Sequence, residues 1–315
     1  MKYKTVVVIV SLLLAATVAI GSARYISTGK NSDDKIKIVA TFYPVYIAAK
    51  NITKDIDGIE LVCLTESNVG CIHDFQLRPQ DMVLLEGADM LLTNGAGMES
   101  FLTEIAVQYP SLVTVDSSKN ISLLPAASSS LHIESISHDH EHEDTGNYNP
   151  HIWLSPSRYL KQVDNLCSAI AAQFPQYAEQ MQKNTDHYKT QIQTLQADME
   201  AALANIKNRD VILFHDSFAY FADDFGLRVA DIIPMESDTA LSAGDIAQVI
   251  DVIQSSGIQV LFAEAQYSTA LADAIAKETD ASVYILDTCV TGPMEETAYL
   301  DSMRKNLDVL CSALT

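Results

Sequence analysis

The sequence predicts an α/β protein of two (β/α)-type lobes with parallel sheets, linked by one long helix, with a ligand cleft between the lobes. Three observations predict it. Short apolar runs alternate with helical patterns in the first half of the chain and again in the second, as parallel strands with crossover helices do. Between these sets, Tyr177, Met181, Tyr188, Ile192, Leu195, Met199, Leu203 and Ile206 recur at spacings of 3, 4 or 7, the signature of one helical face. The length of 315 residues and a hydrophobic content of 48% allow about two domains with substantial cores.

In the first set, strands are expected at 36–42, 59–64, 90–93 and 112–115, with helices at 44–53, 79–86 and 98–108. Residues 117–149 break the pattern. They are rich in Ser, His, Asp and Glu and read as a loop. A helix follows at 157–174, and Pro175 suits the first turn of the long helix, which at about 1.5 Å per residue would exceed roughly 40 Å. In the second set, strands are expected at 211–214, 229–233, 260–263 and 283–286, and helices at 217–225, 242–256 and 269–278, with a last helix at about 299–314. Gly226 and Gly257 fall where helix C-caps belong, and Ser242 with Asp245 has capping-box spacing. The lobes are thus 36–174 and 209–315, bridged by 175–208.

Ahead of them, Lys2 and Lys4 precede an apolar run over 6–20 that ends in Gly21-Ser22-Ala23, and a polar linker occupies 24–35. Residues 1–23 have the layout of a secretory signal peptide, or of an uncleaved membrane anchor. No Cys near the end of the run offers a lipid attachment site. Either reading places the protein outside the cytoplasm: secreted, periplasmic or anchored on the outer face.

Lys and Arg total 20 against 41 for Asp and Glu, a formal net charge of -21. This disfavours nucleic acid, whose binding needs basic surface. All five Cys lie beyond the export segment, where disulfides are permitted. The odd count leaves at least one thiol unpaired within the chain. Cys167 is the candidate, because it lies in the helical apolar series Leu160, Val163, Cys167, Ile170, Phe174.

Ligands of open α/β sheets bind beyond the carboxyl ends of strands. His73 follows the second strand, His215 and Asp287 end later strands, and His151 follows the irregular loop. Three imidazole nitrogens and one carboxylate oxygen suit a borderline-soft cation such as Zn2+, whereas Ca2+ or Mg2+ would need mostly oxygen. Four protein ligands close a tetrahedral shell, which favours capture over catalysis.

The residues around these positions resemble a known family. Gly70-Cys-Ile-His73-Asp-Phe-Gln-Leu-Arg-Pro-Gln-Asp81, Asn149-Pro-His151-Ile-Trp-Leu-Ser-Pro156, and Phe214-His215-Asp-Ser-Phe-Ala-Tyr-Phe221 with Phe225-Gly-Leu227 are similar to three metal-ligand motifs of the zinc- and manganese-binding solute-binding proteins of ABC transporters. Leu286-Asp287-Thr288 falls at the fourth ligand, and Asn94-Gly-Ala-Gly-Met-Glu-Ser-Phe101 matches another family segment. The resemblance covers about residues 36–315. It implies a metal bound between two bridged lobes and delivered to a membrane permease, with no chemistry by the protein itself. A His at the third motif, here His215, resembles the zinc-binding branch, whereas a Glu resembles the manganese-binding one. A monomer is expected.

Several features stay open at this stage. His132, His138, His140 and His142, interleaved with acids, form either a weak outer metal site or a solvated charge run. Cys63 and Cys71 flank the loop to His73 and form either a disulfide, contributing roughly 2–3 kcal/mol, or a thiolate metal site; Cys289 and Cys311 are a second possible pair. Glu264 is either outer support for a ligand or a salt-bridge partner. His187, on the long helix, reads as solvent-exposed. Two rival functions remain: an exported zinc hydrolase with Asp287 or Glu264 as general base, although no His-Glu-x-x-His helix is present, and a surface adhesin on the same fold.

Overall fold

A computed structural model of the chain describes residues 35–65, 72, 75–126, 148–233, 243–264 and 269–314. The expected export segment, Cys71, His73, the His-rich part of the long loop and the Ser242 cap all lie outside these residues. No helix among the described residues is long and apolar enough to cross a membrane.

The first sheet contains β1 (Ile36–Ala40), β2 (Ile59–Cys63), β3 (Met90–Thr93) and β4 (Val113–Asp116), in the order β2-β1-β3-β4. The β1/β3 and β3/β4 pairs are parallel, with Ile38 opposite Met90 and Met90 opposite Val113. The central strands bury Val39, Ala40, Leu91 and Leu92 completely, the continuous apolar run of a sheet covered on both faces. Their connections carry α1 (Tyr43–Ile52), α2 (Pro79–Leu85) and α3 (Leu102–Gln108). Helix α2 starts where the Asp81 carboxylate accepts the Arg78 backbone N–H at 2.8 Å, satisfying a donor that a helix start leaves open.

The second sheet repeats the plan with β5 (Asp210–Leu213), β6 (Arg228–Ile232), β7 (Val260–Glu264) and β8 (Ser282–Leu286), in the order β6-β5-β7-β8 and parallel throughout. Helices α6 (Ala219–Phe225), α7 (Ala243–Ser256) and α8 (Thr269–Glu278) connect its strands. Its core includes Ile212, Phe214, Val249, Leu261 and Ile275. Gly226 and Gly257 take φ values of 66° and 68° after α6 and α7, the left-handed cap their positions predict.

Between the sheets run α4 (Pro156–Gln173) and the long α5 (Ala178–Leu203). Ser155 caps α4 by accepting the Arg158 N–H. The long helix is shorter than the periodicity suggests. A 3₁₀ turn takes Pro175–Tyr177, so α5 has 26 residues and spans about 39 Å. Met181, Tyr188, Ile192, Leu195, Met199 and Leu203 are buried as the spacing requires. Tyr177 is only half-buried, and Thr185 takes a buried place. His187 is exposed. Helix α5 packs on α4 and α1 and on the last helix, α9 (Ala298–Leu314).

Two expectations are corrected. Helix α3 begins at Leu102, not 98, because Gly95, Ala96 and Gly97 all have positive φ and Glu99 turns back onto Asn94 and Gly95. Cys289 is a thiol rather than half of a bridge to Cys311: it sits in a left-handed turn after β8, and its Sγ donates to the Asp287 carbonyl at 3.6 Å. Cys167 is a buried thiol, as the helical series implies.

Candidate metal centre

In each sheet the chain reverses its direction of winding between the two central strands, and a crevice opens beyond their carboxyl ends there. Each crevice holds a buried glutamate. In the first sheet Glu99 accepts the Thr41 hydroxyl at 2.7 Å and the Asn94 and Gly95 N–H groups at 2.6 and 3.1 Å. Burial pushes its carboxyl up to about 7. In the second sheet Glu264 ends β7 and meets His215, just past β5.

The backbone explains how His215 reaches that place. It is extended, with φ -161° and ψ 156°, so it continues the alternation of β5. Phe214 enters the core and His215 takes the other side. A 3₁₀ turn over Asp216–Phe218 follows at once and buries Ser217 and Phe218. His215 Nδ1 lies 2.9 Å from Glu264 Oε1, and the Ser217 hydroxyl donates to the same oxygen.

His151 is fully buried. It precedes a 3₁₀ turn over Ile152–Leu154, every residue of which is buried. Asn149 holds it: Oδ1 accepts the His151 backbone N–H at 2.9 Å and lies 3.0 Å from Nδ1. The amide orientation is set because Asn149 Nδ2 donates to the Asp216 carbonyl at 2.8 Å. An amide oxygen only accepts, so a hydrogen bond here needs the proton on Nδ1, and Asp216 Oδ1 stands 3.6 Å from the same nitrogen. The Asn149 carbonyl accepts the Tyr220 hydroxyl at 2.6 Å, and Asn94 Nδ2 donates to the Pro150 carbonyl at 2.9 Å. The segment carrying His151 is therefore tied to both sheets.

These ties bring the two imidazoles together, with ring centroids 4.8 Å apart and planes at 88°. Asp216 joins them. Donor atoms of His151, His215 and Asp216 all lie within 4.8 Å of one another, a group that could hold a metal ion. Asp216 Oδ1 is 3.5 Å from His215 Nε2, long for a hydrogen bond. Two ligands held at 2.0–2.1 Å in a tetrahedral zinc shell stand roughly 3.3–3.4 Å apart, close to that separation.

Of the four residues expected from the sequence, His151 and His215 are thus neighbours, and His73 lies outside the described residues. Asp287 is half-buried and is not in the group of three. Its Oδ1 accepts the Cys289 N–H at 2.8 Å, and its backbone is held on both sides by Asn306. It raises the pKa of the nearby Tyr43 phenol, behind the larger effects of burial and Cys289. Sequence reasoning missed Asp216, whose signal was its place directly after His215, and Asn149, whose signal was a side-chain acceptor two residues before His151.

The family model for the zinc-uptake complex component A, periplasmic, matches residues 38–313. The high-affinity zinc uptake system protein ZnuA of Bacillus subtilis is 30% identical over 317 residues, covering 96% of this chain and 94% of its own. The zinc-binding lipoprotein AdcA of Streptococcus pneumoniae is 27% identical over 310 residues and 96% of this chain. The chain spans 60% of AdcA's length. Among solved structures, the SBP FpvC of Pseudomonas aeruginosa with Ni2+ superposes with a TM-score of 0.76 at 23% identity, over 89% of this chain and 97% of that one; it shares the fold. With twin parallel sheets, two imidazoles meeting at a strand end and a match over nearly the whole described chain, this protein belongs to the family of the periplasmic zinc-uptake complex component A.

Proposed function

We propose that the protein is an exported, monomeric solute-binding protein that captures Zn2+ as cargo and passes it to the permease of an ABC importer. The observation that carries the reading is the His151–His215 pair with Asp216 beside it, His151 buried and the other two partly buried just past β5. Two neutral imidazoles favour zinc over the harder manganese. In this reading His73, His151, His215 and Asp287 are the ligands. Asp287 would have to leave the Cys289 N–H or share it, whereas Asp216 already offers a carboxylate beside the two imidazoles. The names of the relatives support zinc as cargo and transport as the role.

The test is elemental analysis of protein purified without added metal, then competition between zinc and manganese, with zinc expected to win at one tight site per chain. Replacement of Asp216 and Asp287 separately by Asn shows which carboxylate binds: the one whose loss weakens zinc is the ligand. A chain that takes up no zinc at micromolar metal would sink the proposal. So would zinc-dependent hydrolysis of ester or peptide substrates, which would move the protein to an enzyme class.

A further inference from the structure

Around His215 a second feature goes beyond the choice of ligands. Glu264 is 2% exposed and sits at the carboxyl end of a central strand. Its Oε1 faces His215 Nδ1 at 2.9 Å and also accepts the Ser217 hydroxyl. Ser217 is fully buried, so the serine–glutamate contact is shielded from water. Three elements therefore fix one imidazole: the end of β5, the 3₁₀ turn after it, and the end of β7.

We propose that Glu264, braced by Ser217, is the positioning residue of the zinc site: it holds His215 with the proton on Nδ1 and presents Nε2 to the metal. This rests on the zinc-binding reading above. A carboxylate only accepts, so a hydrogen bond to it requires N–H at Nδ1. The ring is then set before metal arrives, and Nε2, the only nitrogen with a lone pair, is the one near Asp216 Oδ1. The negative charge behind the ring makes Nε2 a stronger donor, which a neutral acceptor does less well. His151 has such a neutral acceptor in Asn149. The two histidines differ in this: the Glu264 carboxylate touches His215 Nδ1 at 2.9 Å, whereas Asp216 Oδ1 stands 3.6 Å from His151 Nδ1, beyond hydrogen-bond reach.

The experiment has two parts. In the first, nitrogen NMR of the zinc-free wild-type protein with labelled histidine reads the tautomer directly. His215 should show a protonated Nδ1 and an unprotonated Nε2 at pH 8. The reverse assignment overturns the proposal, and this measurement needs neither a variant nor metal. In the second, zinc affinity is measured by chelator competition for wild type, Glu264→Ala, Glu264→Gln and Ser217→Ala, with circular dichroism to establish folding. Removal of such an outer partner weakens metal by about 10–100-fold. Glu264→Ala should fall in that range and show a mixture of tautomers. Glu264→Gln, whose amide oxygen still accepts from Nδ1, should keep the tautomer and lose less. Ser217→Ala should lose least and covers the case in which the glutamate variants fail to fold. Wild-type affinity in a folded Glu264→Ala overturns the proposal while leaving the zinc reading intact. Absence of zinc binding by wild type fails the zinc reading instead, and the tautomer measurement still decides the geometry.

Discussion

The indole N–H of Trp153 donates to the carbonyl of Thr288 at 2.7 Å, across 135 residues of chain. Trp153 is two residues beyond His151, and Thr288 directly follows Asp287, so this one bond sets the spacing between two of the proposed ligand segments. The Trp153 carbonyl accepts the Tyr299 hydroxyl at 2.9 Å, and its ring stands edge-on to Phe42 at 5.1 Å. Trp153→Phe keeps much of the packing but removes this hydrogen bond to a buried residue. The expected loss is about 1–3 kcal/mol, read as a lower urea midpoint at unchanged slope. An unshifted midpoint would mean that Thr288 finds another donor.

Zinc should stabilise the whole chain. With free zinc at about a thousandfold over its dissociation constant, linkage adds about 4 kcal/mol. His151→Ala and His215→Ala should each remove most of that gain, while His187→Ala, on the exposed face of α5, should keep it. The gain should shrink between pH 7 and pH 5, because an imidazole must be neutral to ligate. Thermal melts with and without zinc decide this. A full shift in His215→Ala would place the metal elsewhere.

Glu99 gives the metal-free protein its own pH dependence. Its carboxyl is raised from 4.5 to about 7, chiefly by burial. A raised carboxyl favours the protonated form in the folded state, so the folded chain binds more protons than the unfolded one between these values. Stability therefore falls as pH rises from about 4.5 to about 7, by about 2–3 kcal/mol. Glu99→Gln should flatten that part of the curve in chelator-treated protein. An equal slope in wild type and variant would assign the effect to other groups.

Asp224 joins α6 to the start of α4. It accepts the Ser155 and Ser157 hydroxyls at 2.5 and 3.0 Å and pairs with Arg158 at 2.8 Å. The two charged side chains are 11% and 12% exposed. Asp224→Asn should cost about 2–4 kcal/mol. Asp210, paired with Arg228 at 2.6 Å but 40% exposed against 65%, should lose far less stability when changed to Asn, because water screens an exposed pair. Similar losses for both in denaturant titrations would contradict the role given to burial.

Most of the fold was legible because burial on both faces leaves a plain pattern. Helix α8 and strand β3 fall at the residues the periodicity marks. The starts of helices were harder. The turn through Gly95, Ala96 and Gly97 delays α3, and what stops it is a side-chain contact from Glu99 that no local pattern carries. Thr185 takes a buried place on α5 beside Cys167, where its hydroxyl rather than its size makes it look like a surface residue. At the site, the sequence singled out His215 at a strand end and His151 after the irregular loop, and the two rings meet at 4.8 Å. Placement along the chain could not find Asn149 or separate Asp216 from Asp287, because their roles depend on hydrogen bonds between segments far apart in sequence.

The C-terminal helix α9 lies against α1 as well as α5. Tyr299 stacks on Tyr159 at 4.1 Å, Asn51 donates to the Glu296 carbonyl at 3.0 Å, and Tyr43 donates to the Pro293 carbonyl at 2.7 Å. The layer begun by the first helix of the described chain is thus finished by its last. A ribosome supplies the N-terminal half first, and domains generally fold as units in that order. Here the early half waits for the final twenty or so residues. A chain cut short before Ala298 loses the contact of Tyr299 with Tyr159, and a nascent chain leaves that ring uncovered until α9 has been made, a period when a holding chaperone would have something to grip.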